Sequence, residues 1–326
     1  MEVKLKALMY TGIGQLEIQD VPMPTDDFIV KVSGCGVCGT DLKTYLQGHH
    51  FFSPPTVLGH EFYGSVFKAP EDCGFNTGDI VVVAPYCECG SCGICLRSVG
   101  QLCRDKAFIQ SGAFCEYVGI PLDYLKKGVF KIERNDDVFT LVEPLACVIN
   151  GVEHLKITPY SKILVVGSGP IGALFALLFK DRRIPVAVVE PTRKRREMIA
   201  AWDIECYVPG QVEAGMFDNI VIAVNKAELV NEYITEIADG GTVLLFSGLP
   251  KDMLLSIDSY SVHYREVSFV GSFGYAMKHF VDALDIIKSH PDKYSKVITH
   301  RLPLEQGKES FELLKKSEHL KLILKP

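Results

Sequence analysis

Two hydrophobic patterns divide the chain. Up to about residue 150, apolar positions come in short runs at 16–21, 28–32, 62–67 and 80–84, with Gly, Pro and Asp between them. Runs of that length bounded by turn residues predict strands, and their spacing predicts a sandwich or a partly open barrel. From about residue 160 the runs alternate in type. Residues 162–166, 186–189, 206–208, 219–224, 242–247 and 267–270 read as strands, and 171–179, 195–202 and 227–237 as helices. Strands alternating with helices predict a parallel sheet. A parallel neighbour needs a crossover of about a dozen residues. Residues 209–218 are too few for a full helix, so a shrunken or non-helical connection is expected there. Beyond Ala276 the pattern gives a helix at 280–288, a strand at 297–300, and a closing helix and strand within 304–324.

The chain has 326 residues, which at roughly 150 residues per domain predicts two domains. Apolar residues make up 48% and charged residues 23%, which excludes a disordered chain. The net charge is −6 and the pI about 5.9. A mildly acidic chain has no surplus of cations to exchange for phosphate counterions, so no nucleic-acid partner is expected. Residues 163–179 carry no charge, but Gly167, Gly169, Pro170 and Gly172 interrupt them and the basic Lys180, Arg182 and Arg183 close them. That stretch reads as buried strand, glycine turn and buried helix rather than a membrane span. The segment MEVKLKALMY lacks the apolar core and cleavage site of a signal peptide, so a cytoplasmic location is expected.

Eleven cysteines are present, five of them between Cys87 and Cys103. Local clustering in a long chain favours thiolate metal ligands in a reducing compartment over a disulfide framework. Cys89, Cys92, Cys95 and Cys103 form a C-x2-C-x2-C-x7-C run with Gly90, Gly93 and Gly100 interleaved. Four thiolates in one loop close around a structural zinc ion and leave no place for substrate. Cys87 fits this spacing poorly and is read as a bystander.

A second constellation joins GVCGTD, holding Cys38, with GHEF, holding His60 and Glu61, and with Glu143 in LVEPLA. Two or three protein ligands plus water are what a catalytic zinc uses. A competing reading pairs Cys35 with Cys38 as a redox couple, but no thioredoxin-like strand and helix follow them. A third signal is G-x-G-x-x-G at Gly167, Gly169 and Gly172, between a predicted strand and a predicted helix. The first glycine permits the turn, the second admits a pyrophosphate, and the third lets helix pack on strand. Glu190 ends the next strand, where a carboxylate accepts from both ribose hydroxyls and repels a 2′-phosphate. NAD is therefore expected in preference to NADP. The basic run Arg193 to Arg196 pulls the other way.

Taken together and in this order, the cysteine loop, GVCGTD, GHEF, EPLA, GSGPIG and the tail THRLPLEQ resemble the zinc-dependent medium-chain alcohol dehydrogenases. A glutamate at 143 resembles the polyol (sorbitol) and threonine dehydrogenase branch. The resemblance implies an α/β fold, with a Rossmann-type doubly wound parallel sheet domain beside a mostly-β GroES-like catalytic domain. It implies a catalytic domain over 1–150, a dinucleotide-binding domain over 151–272, and a return to the catalytic domain over 273–326. One catalytic and one structural zinc per chain, a homodimer or homotetramer, and a small alcohol or polyol substrate follow in the same way. Assembly is expected through an edge strand at 253–257.

The resemblance also assigns residues. Cys38, His60, Glu61 and Glu143 match the catalytic metal's ligands or its water, Thr40 the hydroxyl that takes the substrate proton, and Asp41 a structural carboxylate. Ile171, Glu190 and Arg195 match dinucleotide contacts, and Ser247, Gly248, Leu249, Ser272 and Phe273 match the loops beside the nicotinamide. Two residues after Asp41 the family often has a histidine that ends the proton relay, and here Lys43 stands there. Lysine is charged at neutral pH unless desolvated and so is a poorer base, and the relay is then expected to leave through the cofactor ribose to water, or through His49 or His50. Two other readings remain at this point: a threonine dehydrogenase-like enzyme of amino alcohols, and a zinc- and dinucleotide-binding protein without turnover.

Overall fold

The computed structural model of the protein describes residues 4–226, 228–249, 253–316 and 318–326. Ala227 and Ser317, which the sequence pattern places in helices or beside them, lie outside the described residues. The chain divides into two compact units, Met1–Ala146 with Tyr275–Pro326, and Cys147–Gly274. The first break falls inside the helix Val142–Val152, which the strand-rich pattern of the first half had hidden.

The second unit is built on a parallel sheet. Its six strands lie in the order Glu205–Tyr207, Val186–Val189, Ile163–Val166, Phe217–Ile222, Ile237–Leu245, Ser268–Gly271. Sequence order therefore runs outward from Ile163–Val166 in both directions, the doubly wound arrangement of dinucleotide-binding folds. Ile163, Leu164 and Val165 are wholly buried, because a parallel strand covered on both faces reads as a continuous apolar run. The short crossover at 208–216 contains no helix, as expected, and Val212 from it packs against the core.

One expectation fails in this unit. Ile237, predicted to end a helix, opens the strand Ile237–Leu245 and pairs with Phe217, because this fully buried side chain fits the sheet core. Within the single chain residues 253–257 join no ladder and Leu254 is 91% exposed, while Ser268–Gly271 is the outer strand of the sheet.

The first unit is mostly β. A seven-stranded sheet has Phe28–Gly36 near its middle, flanked by Glu61–Lys68 and Lys321–Lys325, and Tyr117–Ile120 also pairs with it. A separate sheet pairs Lys4–Gly12 with Gln15–Pro22 and Thr56–Val57. The helix Gly39–Gln47 starts directly after the central strand, with Cys38 as its N-cap. The ends of three adjacent strands thus bring Cys38, Glu61 and Lys321 together. Among the described residues, no helix is long and apolar enough to cross a membrane.

Candidate active site

Cys38, His60 and Glu61 each offer a ligand atom, and these atoms lie within 4.8 Å of one another. The helix start explains the place of Cys38. Its Sγ accepts from Thr40 N at 3.5 Å, and its own N–H donates to Asp41 Oδ2 at 2.9 Å, a reciprocal cap made by a cysteine. Asp41 is fully buried, and its other oxygen lies 3.3 Å from Gly59 N and 3.5 Å from His60 Nδ1. A carboxylate at Nδ1 fixes the ring orientation and leaves Nε2 for a metal. Burial disfavours an imidazolium, but Asp41 and Cys38 outweigh it and hold the His60 pKa well above its usual value. Gly59 turns the chain here with φ +93°; a side chain on it would strike the Phe114 ring at 2.6 Å.

Glu61 has a partner that local sequence reading missed. Lys321 Nζ lies 2.8 Å from Glu61 Oε1 and 2.6 Å from Oε2, and donates to Val37 O at 3.3 Å. Lys321 and Glu61 are 2% and 1% exposed, so each charge is viable only beside the other. Burial would strip the ammonium of its proton, yet Glu61 first, then Cys38 and Glu143, hold its pKa up. Gly36 lies opposite Glu61 in the ladder, and a side chain there would collide with the carboxylate.

Glu143 lies outside the three-ligand group, in the first turn of Val142–Val152 and largely buried. Thr40 is half-buried in the first turn of Gly39–Gln47, and Lys43 is exposed on the same helix. His49 stacks on His50 with ring centroids 4.6 Å apart, and burial, then His50 and Lys43, push its pKa down.

The donor sets fit zinc. Tetrahedral Zn–S bonds of about 2.3 Å require sulfurs about 3.8 Å apart. Sγ separations are 3.8 Å for Cys89–Cys95, 3.5 Å for Cys92–Cys95, 3.8 Å for Cys92–Cys103 and 3.6 Å for Cys89–Cys103. Backbone N–H groups of Ser91 and Cys92 pull the Cys89 thiol down to about 6, so the loop carries a thiolate near neutral pH. Cys87 is buried in the strand Tyr86–Cys87, outside this group. The other set offers a sulfur, an imidazole and a carboxylate, the number of protein ligands that leaves a catalytic zinc one open position.

In the second unit the three glycines have separate steric duties. Gly167 has φ +92°, and a side chain on it would strike Val224 at 2.3 Å. A side chain on Gly172 would meet Gly167 O at 1.9 Å, where helix Pro170–Asp181 packs on strand Ile163–Val166. Gly169 caps that helix, and its nearest neighbour, Arg195 Nη1, is 4.0 Å from where a Cβ would stand. The helix start therefore has tight walls and an open face. Ile171 sits half-buried in the first turn, while Ser247, Leu249 and Ser272 are half-buried and Gly248 and Phe273 exposed.

Glu190 is 3% exposed and accepts from Ser168 N at 2.9 Å, Ser168 Oγ at 3.0 Å and Thr192 N at 2.9 Å. Burial would raise its pKa, but the Ser168 and Thr192 donors overcome it and keep the carboxyl below its usual value. Three of roughly four acceptor positions are thereby taken. Of the neighbouring arginines, Arg195 Nη1 is 4.0 Å from Glu190 Oε2, Arg196 donates to Glu190 O and Pro191 O, and Arg193 pairs with Glu197.

The family profile for the alcohol dehydrogenase GroES-like domain matches residues 24–131. Along almost the whole chain the protein is similar to D-altritol 5-dehydrogenase of Agrobacterium fabrum, 29% identical over 93% of this chain and 94% of that one. It is 28% identical to sorbitol dehydrogenase of Bombyx mori, over 98% and 97% of the two chains. A Sinorhizobium meliloti 1021 protein provisionally assigned as a zinc-binding dehydrogenase, and solved with NADP, superposes over 100% of both chains with TM-score 0.84 and 26% identity. Residues 24–131 thus match the GroES-like domain of alcohol dehydrogenases, and along almost its whole length the chain is similar to polyol and zinc-binding dehydrogenases. In these dehydrogenase terms, the first unit holds the GroES-like part and the second the Rossmann-type sheet.

Proposed function

We propose that the protein oxidises a polyol or other secondary alcohol with NAD, at a zinc site made by Cys38, His60 and Glu61. The observation that carries this reading is the convergence of sulfur, imidazole and carboxylate within 4.8 Å, backed by Asp41 on His60. The similarity to D-altritol and sorbitol dehydrogenases supports a polyhydroxylated substrate.

When bound, zinc supplies a Lewis acid that lowers the pKa of an alcohol oxygen, and the nicotinamide supplies the hydride acceptor. Within the chain, Asp41 orients His60 and the Cys38 backbone, and Lys321 neutralises Glu61. Thr40 accepts the hydroxyl proton from the substrate. From Thr40 the proton passes to His49, whose depressed pKa leaves it neutral and able to accept near pH 7. Glu143 lies near enough to Lys321 to act on its charge and serves the same electrostatic balance. In the second unit the open helix start takes the pyrophosphate, and the ionised Glu190 takes one ribose hydroxyl and repels a 2′-phosphate, which favours NAD over NADP.

A second reading, oxidation of an amino alcohol, is favoured by similarity to L-threonine 3-dehydrogenase of Vibrio parahaemolyticus, 26% identical over 99% of both chains. A panel of polyols, simple secondary alcohols and L-threonine, each with NAD and NADP, separates the readings by the appearance of reduced nicotinamide. No turnover with any member, from protein carrying two zinc ions per chain, would sink both and leave a non-catalytic protein. We also propose a homodimer or homotetramer in the cytoplasm; light scattering on the purified protein tests the assembly.

A further inference from the structure

Asn150 is a buried amide that holds a single loop of the second unit. It stands in the last turn of the helix Val142–Val152 and is 1% exposed. Its Nδ2 donates to Ser272 Oγ at 3.0 Å, to Phe273 O at 3.4 Å and to Gly274 O at 2.9 Å. An amide nitrogen carries two hydrogens, so two of these bonds are short and the third is shared. The acceptors lie on three consecutive residues just beyond the strand Ser268–Gly271. Ser272 N still donates to Leu245 O at 3.2 Å beside the sheet. Past that point the chain leaves the ladder, and one side chain gathers a hydroxyl and two carbonyls.

The helix turn that carries Asn150 is itself fixed. A side chain on the next residue, Gly151, would come 2.9 Å from the Phe175 ring and 3.1 Å from the Phe246 ring. Those two rings meet edge to face with centroids 5.0 Å apart. Phe175 belongs to the helix Pro170–Asp181, and Phe246 N donates to Ile222 O at 3.2 Å. Phe246 directly precedes Ser247, Gly248 and Leu249. Asn150 and Gly151 therefore meet both segments that the nicotinamide reading invokes, one by hydrogen bonds and the other by close packing. Phe273 shows the consequence. Its carbonyl is tied to Asn150 while the residue is 62% exposed, so an apolar ring is held out on a fixed backbone. Ser272 Oγ accepts from Asn150, which leaves its own hydrogen for another acceptor.

We propose that Asn150 is a positioning residue for the nicotinamide: it fixes residues 272–274 so that Ser272 and Phe273 meet the carboxamide-bearing ring, and it does not touch the cofactor itself. This rests on the reading of Ser272 and Phe273 as nicotinamide contacts. The carboxamide oxygen is an acceptor that suits the Ser272 hydroxyl, and the flat ring is a surface that suits Phe273. Small displacements of such groups cost binding because the geometry is set before the ligand arrives.

The test is the calorimetric affinity of the zinc-loaded protein for NADH, beside its affinity for ADP-ribose, which lacks only the nicotinamide. Asn150→Asp keeps the shape and replaces the donor by an acceptor. Asn150→Ser shortens the side chain, keeps a hydroxyl, and carries the test if Asn150→Asp does not fold. Each should weaken NADH binding by about five- to thirtyfold, the factor that one to two net hydrogen bonds supply. ADP-ribose affinity and zinc content should stay as in the parent, a split that a purely structural role would not produce. The double variant Ser272→Ala with Phe273→Ala should likewise lose affinity for NADH alone. Parent-like NADH affinity in the Asn150 variants, with the double variant impaired, would overturn the positioning role while leaving the cofactor reading intact. An unimpaired double variant would overturn both. Equal losses for NADH and ADP-ribose in the Asn150 variants would mean a general loosening of the fold and would also overturn the proposal.

Discussion

Lys321 and Glu61 form an ion pair with Nζ 2.6 Å from the nearer carboxylate oxygen, between residues 2% and 1% exposed. Breaking such a pair from one side leaves an uncompensated buried charge, at a cost of about 3–5 kcal/mol. Lys321→Met should therefore destabilise the metal-free protein by roughly that amount, measured by urea unfolding. Adding zinc should recover part of the loss, since the released carboxylate can turn to the metal. An equal loss with and without zinc would show that Glu61 stays away from it.

Asp41 touches both metal-ligand segments, through Cys38 N and His60 Nδ1. Loss of such an outer partner lowers metal affinity by about 10- to 100-fold. Asp41→Asn should show that drop in competition with a chromogenic chelator. The four-cysteine loop should keep its own zinc, so the metal content should fall from two towards one under mild chelation.

Removing a ligand from the loop should act differently. Cys95→Ser breaks a four-sulfur set whose spacings run from 3.5 to 3.8 Å. Structural zinc binding is folding free energy. The variant should lose one zinc per chain and several degrees of thermal midpoint. Persistence of both metals in elemental analysis would contradict the four-thiolate assignment.

The pH dependence of stability has a clear contributor away from the metal residues. Asp137 is largely buried and lies 2.6 Å from Arg301 Nε, 2.5 Å from Lys325 Nζ and 2.9 Å from the Tyr63 hydroxyl. Burial opposes its ionisation, but Lys325 and Arg301 prevail and hold its pKa below the usual carboxylate value. A lowered folded-state pKa gives stability that is complete above the unfolded value, about 3.9, and is lost as pH falls through the folded one. Both cations are partly exposed, which tempers the effect. Asp137→Asn should cost roughly 1–2 kcal/mol at pH 7, with the difference from the parent shrinking below pH 4. A difference independent of pH would rule the ion pairs out as its source.

The chemistry was most legible where it is local. The three glycines of the dinucleotide turn and the four cysteines stand close together in the chain, and each spacing has one steric or coordinative reason behind it. Relations across the chain were not legible. Lys321 and Glu61 are 260 residues apart, and KLILK reads as a plain strand until its pairing with Phe28–Gly36 is known. The helix Gly39–Gln47 was hidden because a cysteine caps it instead of the usual Ser, Thr, Asp or Asn. The strand Ile237–Leu245 was read too short, since Asp239, Gly240 and Gly241 look like a turn while its register with Phe217–Ile222 draws the chain into the sheet.

The central claim is that Cys38 belongs to an open zinc site at which an alcohol is oxidised. Its most direct test compares the zinc-loaded parent with Cys38→Ala, following NADH formation across the polyol panel. The account predicts turnover by the parent on at least one polyol or secondary alcohol. For the variant it predicts loss of turnover, one zinc retained and an unchanged circular dichroism spectrum. Parent-like turnover by Cys38→Ala, or a fully loaded parent inert on every alcohol, would contradict it.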